Sequence, residues 1–316
     1  MAMLIADMGG TNARFALALG DGSIQDARNY AAADFPGVLE AAYAFLAGRK
    51  VSEAVFAVAT PVDDDEILFT NSPWNFSIRA LKRELGVEQL KVVNDFVAQA
   101  RAIPDLRSTD FALIGGGTTR EDMPKAVIGP GTGLGVAGLV PSSDGWVVVA
   151  TEGGHVSFAP ADELEIEILQ VVRRRYPHVS NERLLSGPGL LVLAEALADI
   201  HDAPLAARTP AEVTMAARGM PEGLCAMAVQ RFVAMLGGAA GDLALTYGAR
   251  GGIYVTGGVL QHFGELFDDR LFRQRFVAKG RFRAYLEAIA SLRVVRGDTG
   301  LIGAAAIARD LQGSQT

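Results

Sequence analysis

The sequence predicts an α/β fold, because short apolar strands alternate with segments of helical periodicity along the whole chain. Half of the 316 residues are hydrophobic and 21% are charged, which provides enough apolar surface for a buried core. Glycine is abundant, at 36 residues, and the excess is expected in turns and at close backbone approaches. A strand, a glycine-rich turn and a second strand open the chain and recur after residue 125, which indicates two related halves.

The first half begins with two strands, predicted at 3–8 and 14–19, on either side of the turn Gly9-Gly10-Thr11-Asn12. The patterns that follow predict, in order, a helix at 38–46, strands at 54–59 and 67–70, a helix at 78–85, a strand at 90–93 and a helix at 96–102. The boundary between the halves is predicted near Pro104.

The second half starts in the same way, with strands at 126–128 and 136–140 around a glycine-rich turn at 129–135. Beyond it we expect, in order, a strand at 146–150, helices at 162–174, 189–200 and 222–247, a strand at 251–258 and a helix at 301–311. This half is therefore predicted to be the more helical one.

Charge and cysteine content exclude several classes of protein. The 29 basic and 36 acidic side chains give a net charge of −7, which argues against nucleic acid or an anionic membrane as a partner. The single cysteine, Cys225, excludes an intrachain disulfide and any multi-cysteine zinc or iron–sulfur site. The first residues lack the basic region of a signal peptide, and no apolar run reaches the ~18 residues of a membrane span. We therefore expect a soluble, cytoplasmic protein.

Two glycine-rich turns, each directly after a strand, have the form of phosphate-binding loops, because glycines let backbone N–H groups approach an anion. A P-loop is excluded, since the chain contains no Gly-Lys pair. A dinucleotide fingerprint is also unsupported, because the pair Gly131 and Gly133 lacks a third glycine at the required spacing. Ordinary hairpin turns are the alternative. Two turns in matching positions, one of them after Asp7, favour the phosphate-binding interpretation.

Polar residues at strand ends are the candidates for chemistry in the first half. Asp7 is suited to orient Mg²⁺ beside a triphosphate, directly or through water, although it could also be a simple turn-forming acid. Thr11 and Asn12 could donate hydrogen bonds to phosphate oxygens. Asn94 and Asp95 end another apolar strand, where they are placed to face a ligand and also to cap the following helix.

In the second half, Glu152 and His155 lie three residues apart around two glycines, a combination that makes a poor core element. Glu182, taken alone, predicts only a surface acid on a helix.

Several segments of the chain together form a recognisable series of motifs. The motifs are Asp7-Met8-Gly9-Gly10-Thr11-Asn12-Ala13-Arg14, Asn94-Asp95-Phe96, Gly129-Pro130-Gly131-Thr132-Gly133-Leu134-Gly135, Glu152-Gly153-Gly154-His155, Glu182 with Leu185-Ser186-Gly187-Pro188-Gly189-Leu190, and Thr256-Gly257-Gly258-Val259.

In this order the motifs resemble those of the proteobacterial ATP-dependent glucokinases, within the actin-like sugar-kinase superfamily, and the match runs from about residue 3 to about residue 308. The resemblance implies a two-lobed actin-like (ribonuclease H-like) ATPase fold with an interdomain cleft. It implies a small domain of residues 1–105 plus 299–316 and a large domain of residues 106–298. It also implies a homodimer. The run Asp63-Asp64-Asp65 departs from the family pattern and is expected to be a solvated hairpin tip.

The resemblance also implies a role for each motif in phosphorylating D-glucose to glucose 6-phosphate, the entry step of glycolysis. Asp95 would be the base that takes the proton from the 6-hydroxyl, and Asn94, Glu152, His155 and Glu182 would bind other hydroxyls. Mg²⁺ would lie beside Asp7, with water between them. The residues implied to contact ATP are Ala6, Asp7, Met8, Gly9, Gly10, Thr11, Asn12, Gly131, Thr132, Gly133, Gly257 and Gly258.

Two other functions stay open at this point. A kinase for another hexose, such as mannose or N-acetylglucosamine, would carry the same motifs. A non-catalytic sugar-responsive regulator is disfavoured by the intact Asp95, the acidic chain and the lack of a helix-turn-helix before Met3. The neighbouring repressor/open-reading-frame/kinase group binds structural zinc through a cysteine-rich motif, which a chain with one cysteine cannot form. We therefore expect no zinc.

Overall fold

The computed structural model of the chain describes residues 2–69, 74–143 and 145–313. Its strands are β1 (Met3–Met8), β2 (Asn12–Ala18), β3 (Ile24–Ala31), β4 (Glu53–Val58), β5 (Glu66–Leu68), β6 (Asn75–Ser77), β7 (Gln89–Asn94), β8 (Phe111–Gly115), β9 (Lys125–Pro130), β10 (Leu134–Ser142), β11 (Gly145–Thr151), β12 (Ile253–Val255) and β13 (Ser291–Val294). Its α-helices are α1 (Val38–Leu46), α2 (Ile78–Leu85), α3 (Asp95–Ala102), α4 (Glu163–Arg173), α5 (Asn181–Leu184), α6 (Gly187–Ile200), α7 (Pro210–Gly219), α8 (Leu224–Thr246), α9 (Gly258–Phe263), α10 (Asp269–Phe276), α11 (Arg283–Glu287) and α12 (Thr299–Gly313).

Contacts within the chain define two compact units. Unit 1 comprises residues 1–108 and 296–316, so the C-terminal helix α12 belongs with the N-terminal part of the chain. Unit 2 comprises residues 109–295. Each unit is built around one large mixed sheet.

The sheet of unit 1 has the strand order β3-β2-β1-β4-β7, in which β1, β4 and β7 are parallel. Alternate residues of β1 face opposite sides of this sheet, as the period of a strand requires. Leu4 and Met8 join the core beneath α1, whereas Met3 and Ile5 pack against α12. Both faces of β1 are therefore covered, which explains why residues 3–6, before Asp7, form a continuous apolar run.

The register of unit 1 determines where its functional side chains lie. Met8 pairs with Val58, and Val58 pairs with Asn94, so the carboxyl ends of the three parallel strands are level with one another. Asp7 is one residue before the end of β1, and Asp95 is the first residue of α3. The register thus places both acids at one edge of the same sheet.

The sheet of unit 2 has the strand order β11-β10-β9-β12-β13-β8, with β9, β12 and β13 parallel. Helix α8 is the main helix of this core, and its buried side chains, Cys225 and Phe232 among them, pack with residues of β9, α6 and α10. The glycine turn between β9 and β10 connects antiparallel neighbours in the sheet.

Helix α8 is the one described helix that is long and apolar enough to be compared with a membrane span. An 18-residue window within its 23 residues has a mean hydropathy of 1.4, so by length and composition alone it could cross a membrane. However, 67% of that apolar window is buried inside the structure, as in the core helix of a globular domain. The expectation that no uninterrupted apolar run reaches ~18 residues holds for this helix, because Arg231 and Asp242 interrupt its apolar sequence.

Most predicted elements are present with shifts of one or two residues at their ends, and three predictions need correction. The second glycine turn is confined to residues 131–133, because Pro130 pairs with Leu134 and the strands extend into the predicted turn. The strand predicted at 251–258 is only β12, residues 253–255. Asp65 is not simply solvated, since its carboxylate accepts hydrogen bonds from Ser77 Oγ (2.6 Å) and Arg79 N–H (3.0 Å) at the start of α2.

Candidate active site

Asp7 lies where a buried core strand reaches the first glycine turn. It pairs with Ala57 of β4 on one side and with Arg14 of β2 on the other. A β-carbon built on Gly300, in the first turn of α12, would lie 2.5 Å from the Asp7 Cγ, so the carboxyl group packs directly on this helix end. Burial raises the pKa of Asp7, and the positive charge of Arg14 partly opposes that rise.

Asn94 and Asp95 begin α3 at the same sheet edge. Asn94 caps the helix, as its position predicted: Phe96 N–H donates to Asn94 Oδ1 (2.9 Å), and Asn94 Nδ2 donates to the carbonyl oxygen of Thr60 (3.2 Å). Asp95 Oδ1 accepts from the same Phe96 N–H at 2.9 Å. Burial, followed by the negative charge of Asp7, raises the pKa of Asp95 to about 7. A carboxylate with this pKa can accept a proton near neutral pH.

The turn between β1 and β2 presents polar side chains beside Asp7. Gly9 N–H donates to the carbonyl oxygen of Asn12 (2.9 Å), which closes the turn, while Gly10 is half-buried. The side chains of Thr11 and Asn12 are exposed and bonded to each other, with Asn12 Nδ2 donating to Thr11 Oγ1 at 3.0 Å. Asn29 Nδ2 donates to Asn12 Oδ1 at 3.3 Å. The predicted phosphate-binding turn therefore has its two donor side chains on the surface.

Ala6 and Met8, the neighbours of Asp7 on β1, have fully buried side chains in the core of unit 1. Alternation along the strand turns them away from the Asp7 carboxyl group. Any contact of these two residues with a nucleotide would therefore have to come from the backbone.

In unit 2, the structure brings Glu152, His155 and Glu182 together. His155 Nε2 lies 3.7 Å from Glu182 Oε1 and 4.0 Å from Glu152 Oε2. Glu182 Oε2 accepts a hydrogen bond from Leu134 N–H (2.9 Å), and a β-carbon on Gly133 would lie 2.5 Å from that oxygen. The side chains of Glu152 and His155 are 64% and 58% exposed, against 31% for Glu182. We call these three residues the unit 2 polar cluster.

The second glycine turn lies beside two helix N-termini. Gly131 N–H donates across the turn to the carbonyl oxygen of residue 133, and Gly187 N–H, at the start of α6, donates to the Gly131 carbonyl oxygen (both 2.8 Å). Gly257, just before α9 begins at Gly258, has φ +107° and would place a β-carbon 2.9 Å from the carbonyl carbon of the last β9 residue. Thr132 at the tip is exposed. The predicted nucleotide residues of unit 2 are thus neighbours in space.

Arg14 and Gly300 belong to the surroundings of Asp7, although no sequence pattern assigns either residue a role. Arg14 Nη1 donates to the carbonyl oxygen of Gly297 (2.7 Å), in the segment that leads into α12. A signal for Gly300 exists in the sequence, since a Thr-Gly pair precedes the last apolar helix. Gly300 and Asp7 are separated by almost the whole length of the sequence, so no local sequence pattern could reveal that they are in contact.

Within the described ranges, no group of three or more His, Cys, Asp and Glu side chains forms a metal-binding cluster.

Comparison with known proteins relates the chain to bacterial sugar kinases. It is 45% identical over 316 residues to the "Bifunctional protein glk" of Burkholderia pseudomallei, covering 99% of this chain but 49% of that protein. The chain thus spans about half the length of the first curated relatives it matches. It is also 44% identical to a glucokinase of Chromobacterium violaceum, covering 96% of this chain and 88% of that protein.

Solved structures that superimpose on the chain are also glucokinases. A glucokinase from an Antarctic psychrotroph superimposes with a TM-score of 0.87 at 35% identity, covering 97% of this chain and 98% of the other. A ROK family glucokinase from Streptomyces griseus, described in complex with glucose and AMPPNP, shares the fold, with a TM-score of 0.65 at 21% identity over 97% of this chain and 99% of that one. The predicted fold class, that of the actin-like sugar kinases, is confirmed.

The family model described as Glucokinase matches residues 4–311, which is nearly the whole chain. This match covers every motif on which the resemblance was based, from Asp7 to Val259, and so confirms the resemblance. The chain belongs to the glucokinase family.

Proposed function

We propose that this protein is a glucokinase, which transfers the terminal phosphoryl group of MgATP to the 6-hydroxyl of D-glucose. The observation that carries the proposal is Asp95, a carboxyl group with a pKa of about 7 at the start of α3, in a chain matched by the glucokinase family from residue 4 to residue 311. The complex of the Streptomyces griseus protein with glucose and AMPPNP supports the same pair of substrates.

The proposed chemistry requires little covalent participation by the protein. Phosphoryl transfer depends on in-line positioning of the reactants and on neutralising charge at the phosphate oxygens. Asp95 accepts the proton that the sugar 6-hydroxyl loses as its oxygen attacks the phosphorus atom. The bond from Phe96 N–H to Asp95 Oδ1 holds the carboxylate in one orientation and leaves Oδ2 for that proton.

For the nucleotide, we propose that the two glycine turns bind the phosphates and that Gly257 and Gly258 contact the adenosine. The residues around Asp7 fit Mg²⁺, because a carboxylate at the sheet edge is followed, in the turn after β1, by the exposed hydroxyl and amide groups of Thr11 and Asn12. Magnesium, when bound, would neutralise charge on the transferred group. Asp7 would hold it, with water between them.

For the sugar, we propose that Asn94 and the unit 2 polar cluster bind the remaining hydroxyl groups. Carboxylates accept from hydroxyl groups, and an imidazole can donate or accept, so the cluster offers both partners that a sugar hydroxyl needs. The hydrogen bond from Leu134 N–H fixes one oxygen of Glu182 and leaves the other beside His155. We further propose a cytoplasmic homodimer and the domain division given above.

A hexose panel tests the activity. Purified protein is assayed for ADP release with glucose, mannose, galactose and N-acetylglucosamine, with and without Mg²⁺. The proposal expects the highest kcat/KM with glucose and no turnover without the metal. A higher value for mannose or N-acetylglucosamine would assign the site to that sugar, and sugar binding without any turnover would indicate the regulator.

A further inference from the structure

The first turn of α12 packs on the carboxyl group of Asp7, and Gly300 is the residue that makes this possible. A β-carbon on Gly300 would lie 2.5 Å from the Asp7 Cγ and 2.8 Å from Oδ1. These separations are far below any real β-carbon contact, so an alanine at 300 would force the carboxyl group to move. The φ of Gly300 is not positive, so the backbone itself does not require glycine there.

Helix α12 is also fixed to α3, the helix that begins at Asp95. A β-carbon on Gly303 would lie 2.9 Å from the Ala98 Cα and closer still to its carbonyl group, so the two backbones touch. Arg101 of α3 donates two hydrogen bonds to Asp310 of α12, at 2.7 Å and 2.9 Å. Any shift of the Asp7 carboxyl group therefore occurs against a helix that is itself held in place.

We propose that Gly300 is a positioning residue for nucleotide-bound magnesium: the missing side chain lets the Asp7 carboxyl group lie against the first turn of α12, in the orientation that the magnesium shell needs. The inference rests on the proposed function, because it assigns a role toward the metal of that reaction. It does not make Gly300 a ligand. The first-turn N–H groups of a helix also favour a nearby carboxylate.

The kinetic test compares Gly300→Ala with the wild-type enzyme. The proposal expects the KM for MgATP and the Mg²⁺ concentration for half-maximal rate to rise about tenfold or more, while the KM for glucose stays within about twofold. Gly20→Ala is the matched control, since no atom lies within 4 Å of a β-carbon at position 20 and its φ is not positive. Its kinetic constants are expected to match those of the wild type.

A stability test separates positioning from simple destabilisation. Gly300→Ala should lower the melting temperature of the wild-type protein by several degrees. The same substitution made in the Asp7→Ala variant should leave the melting temperature of that variant unchanged or raise it, because the carboxyl group that the new β-carbon would clash with is absent. The double variant also gives a readout if the single variant folds poorly. An unchanged KM for MgATP in Gly300→Ala, or equal rises in both KM values, would overturn the inference. A wild-type enzyme without hexose kinase activity would instead overturn the proposed function, with the stability comparison still interpretable.

Discussion

The carboxyl group of Asp7, on β1, lies near enough to that of Asp95, at the start of α3, for the charge of one to act on the other. The parallel register of β1, β4 and β7 creates this proximity, since it aligns the carboxyl ends of the strands. The two acids are proposed to have different tasks, metal binding for Asp7 and proton acceptance for Asp95. Two neighbouring carboxyl groups with different environments can divide such tasks between them.

Replacing Asp95 by asparagine tests its role as the base. The amide keeps the size of the side chain and can still accept from Phe96 N–H, so the fold should persist. Without a proton acceptor, kcat should fall by about 10²–10⁴-fold. The measurement is kcat by the coupled ADP assay, with circular dichroism to confirm folding. Turnover within a few-fold of the wild type would exclude Asp95 as the base.

The raised pKa of Asp95 also predicts how stability depends on pH in the metal-free protein. The folded-state pKa, about 7, lies above the 3.8 of an unperturbed aspartate, so the folded state binds the proton more tightly. The stabilisation from this proton is complete below pH ~4 and is lost as the pH rises through 7. Asp95→Asn should therefore be more stable than the wild type at pH 8, by on the order of 2–4 kcal/mol, and the gap should close toward pH 4. Denaturant unfolding of both proteins at pH 8 and at pH 4 measures this difference in unfolding free energy. An equal difference at both pH values would contradict the prediction.

The sequence predicts the individual candidate residues better than it predicts which residues lie next to them in the folded structure. Asp7, Asn94 and Asp95 could be predicted because each follows an apolar strand, a local signal. Strand β3 could not be predicted, since its five central residues are exposed and polar or small and show no apolar alternation. The grouping of Glu182 with His155, and of Gly300 with Asp7, depends on contacts between distant segments. Only the resemblance to a family linked Glu182 to the other residues.

Metal dependence distinguishes a dissociable magnesium from a structural metal. A zinc-selective chelator followed by dialysis should leave the melting temperature unchanged, because the only cysteine, Cys225, is buried in the core of unit 2. Activity should return fully on adding Mg²⁺ with ATP. Stoichiometric zinc in the purified protein, together with unfolding after its removal, would refute this prediction.

Gly133→Ala tests the geometry of the unit 2 polar cluster. The new β-carbon would lie 2.5 Å from Glu182 Oε2 and 3.3 Å from its Cδ, so the carboxylate must move away from Leu134 N–H. An unpaired, half-buried N–H and a displaced acid should raise the KM for glucose about tenfold, equivalent to ~1–2 kcal/mol. Gly20→Ala serves as the control, because no atom lies within 4 Å of a β-carbon there. Equal KM values for both variants would show that the position of Glu182 does not matter for glucose.

Sugar selectivity tests all the proposed hydroxyl contacts together. If Asn94, Glu152, His155 and Glu182 each bind a hydroxyl group, then removing one hydroxyl leaves a protein group without its partner. Such a loss costs ~1–3 kcal/mol, or about ten- to hundredfold in kcat/KM. Inverting a hydroxyl adds a steric clash to the same loss, so epimers should be poorer substrates than deoxy sugars. A site that only enclosed the ring would show far smaller penalties.

The measurement is kcat/KM for glucose, mannose, galactose and the 2-, 3- and 4-deoxyglucoses, with the wild type and with Glu152→Ala. Glucose should lead in the wild type. The Glu152→Ala variant should be slower and should discriminate less at one position of the sugar ring, because its missing carboxylate no longer distinguishes the sugars there. Since Glu152 is 64% exposed, its contribution should be smaller than that of the more buried Glu182. A flat wild-type profile, or a clear preference for mannose, would reject glucose as the substrate and leave the family assignment intact.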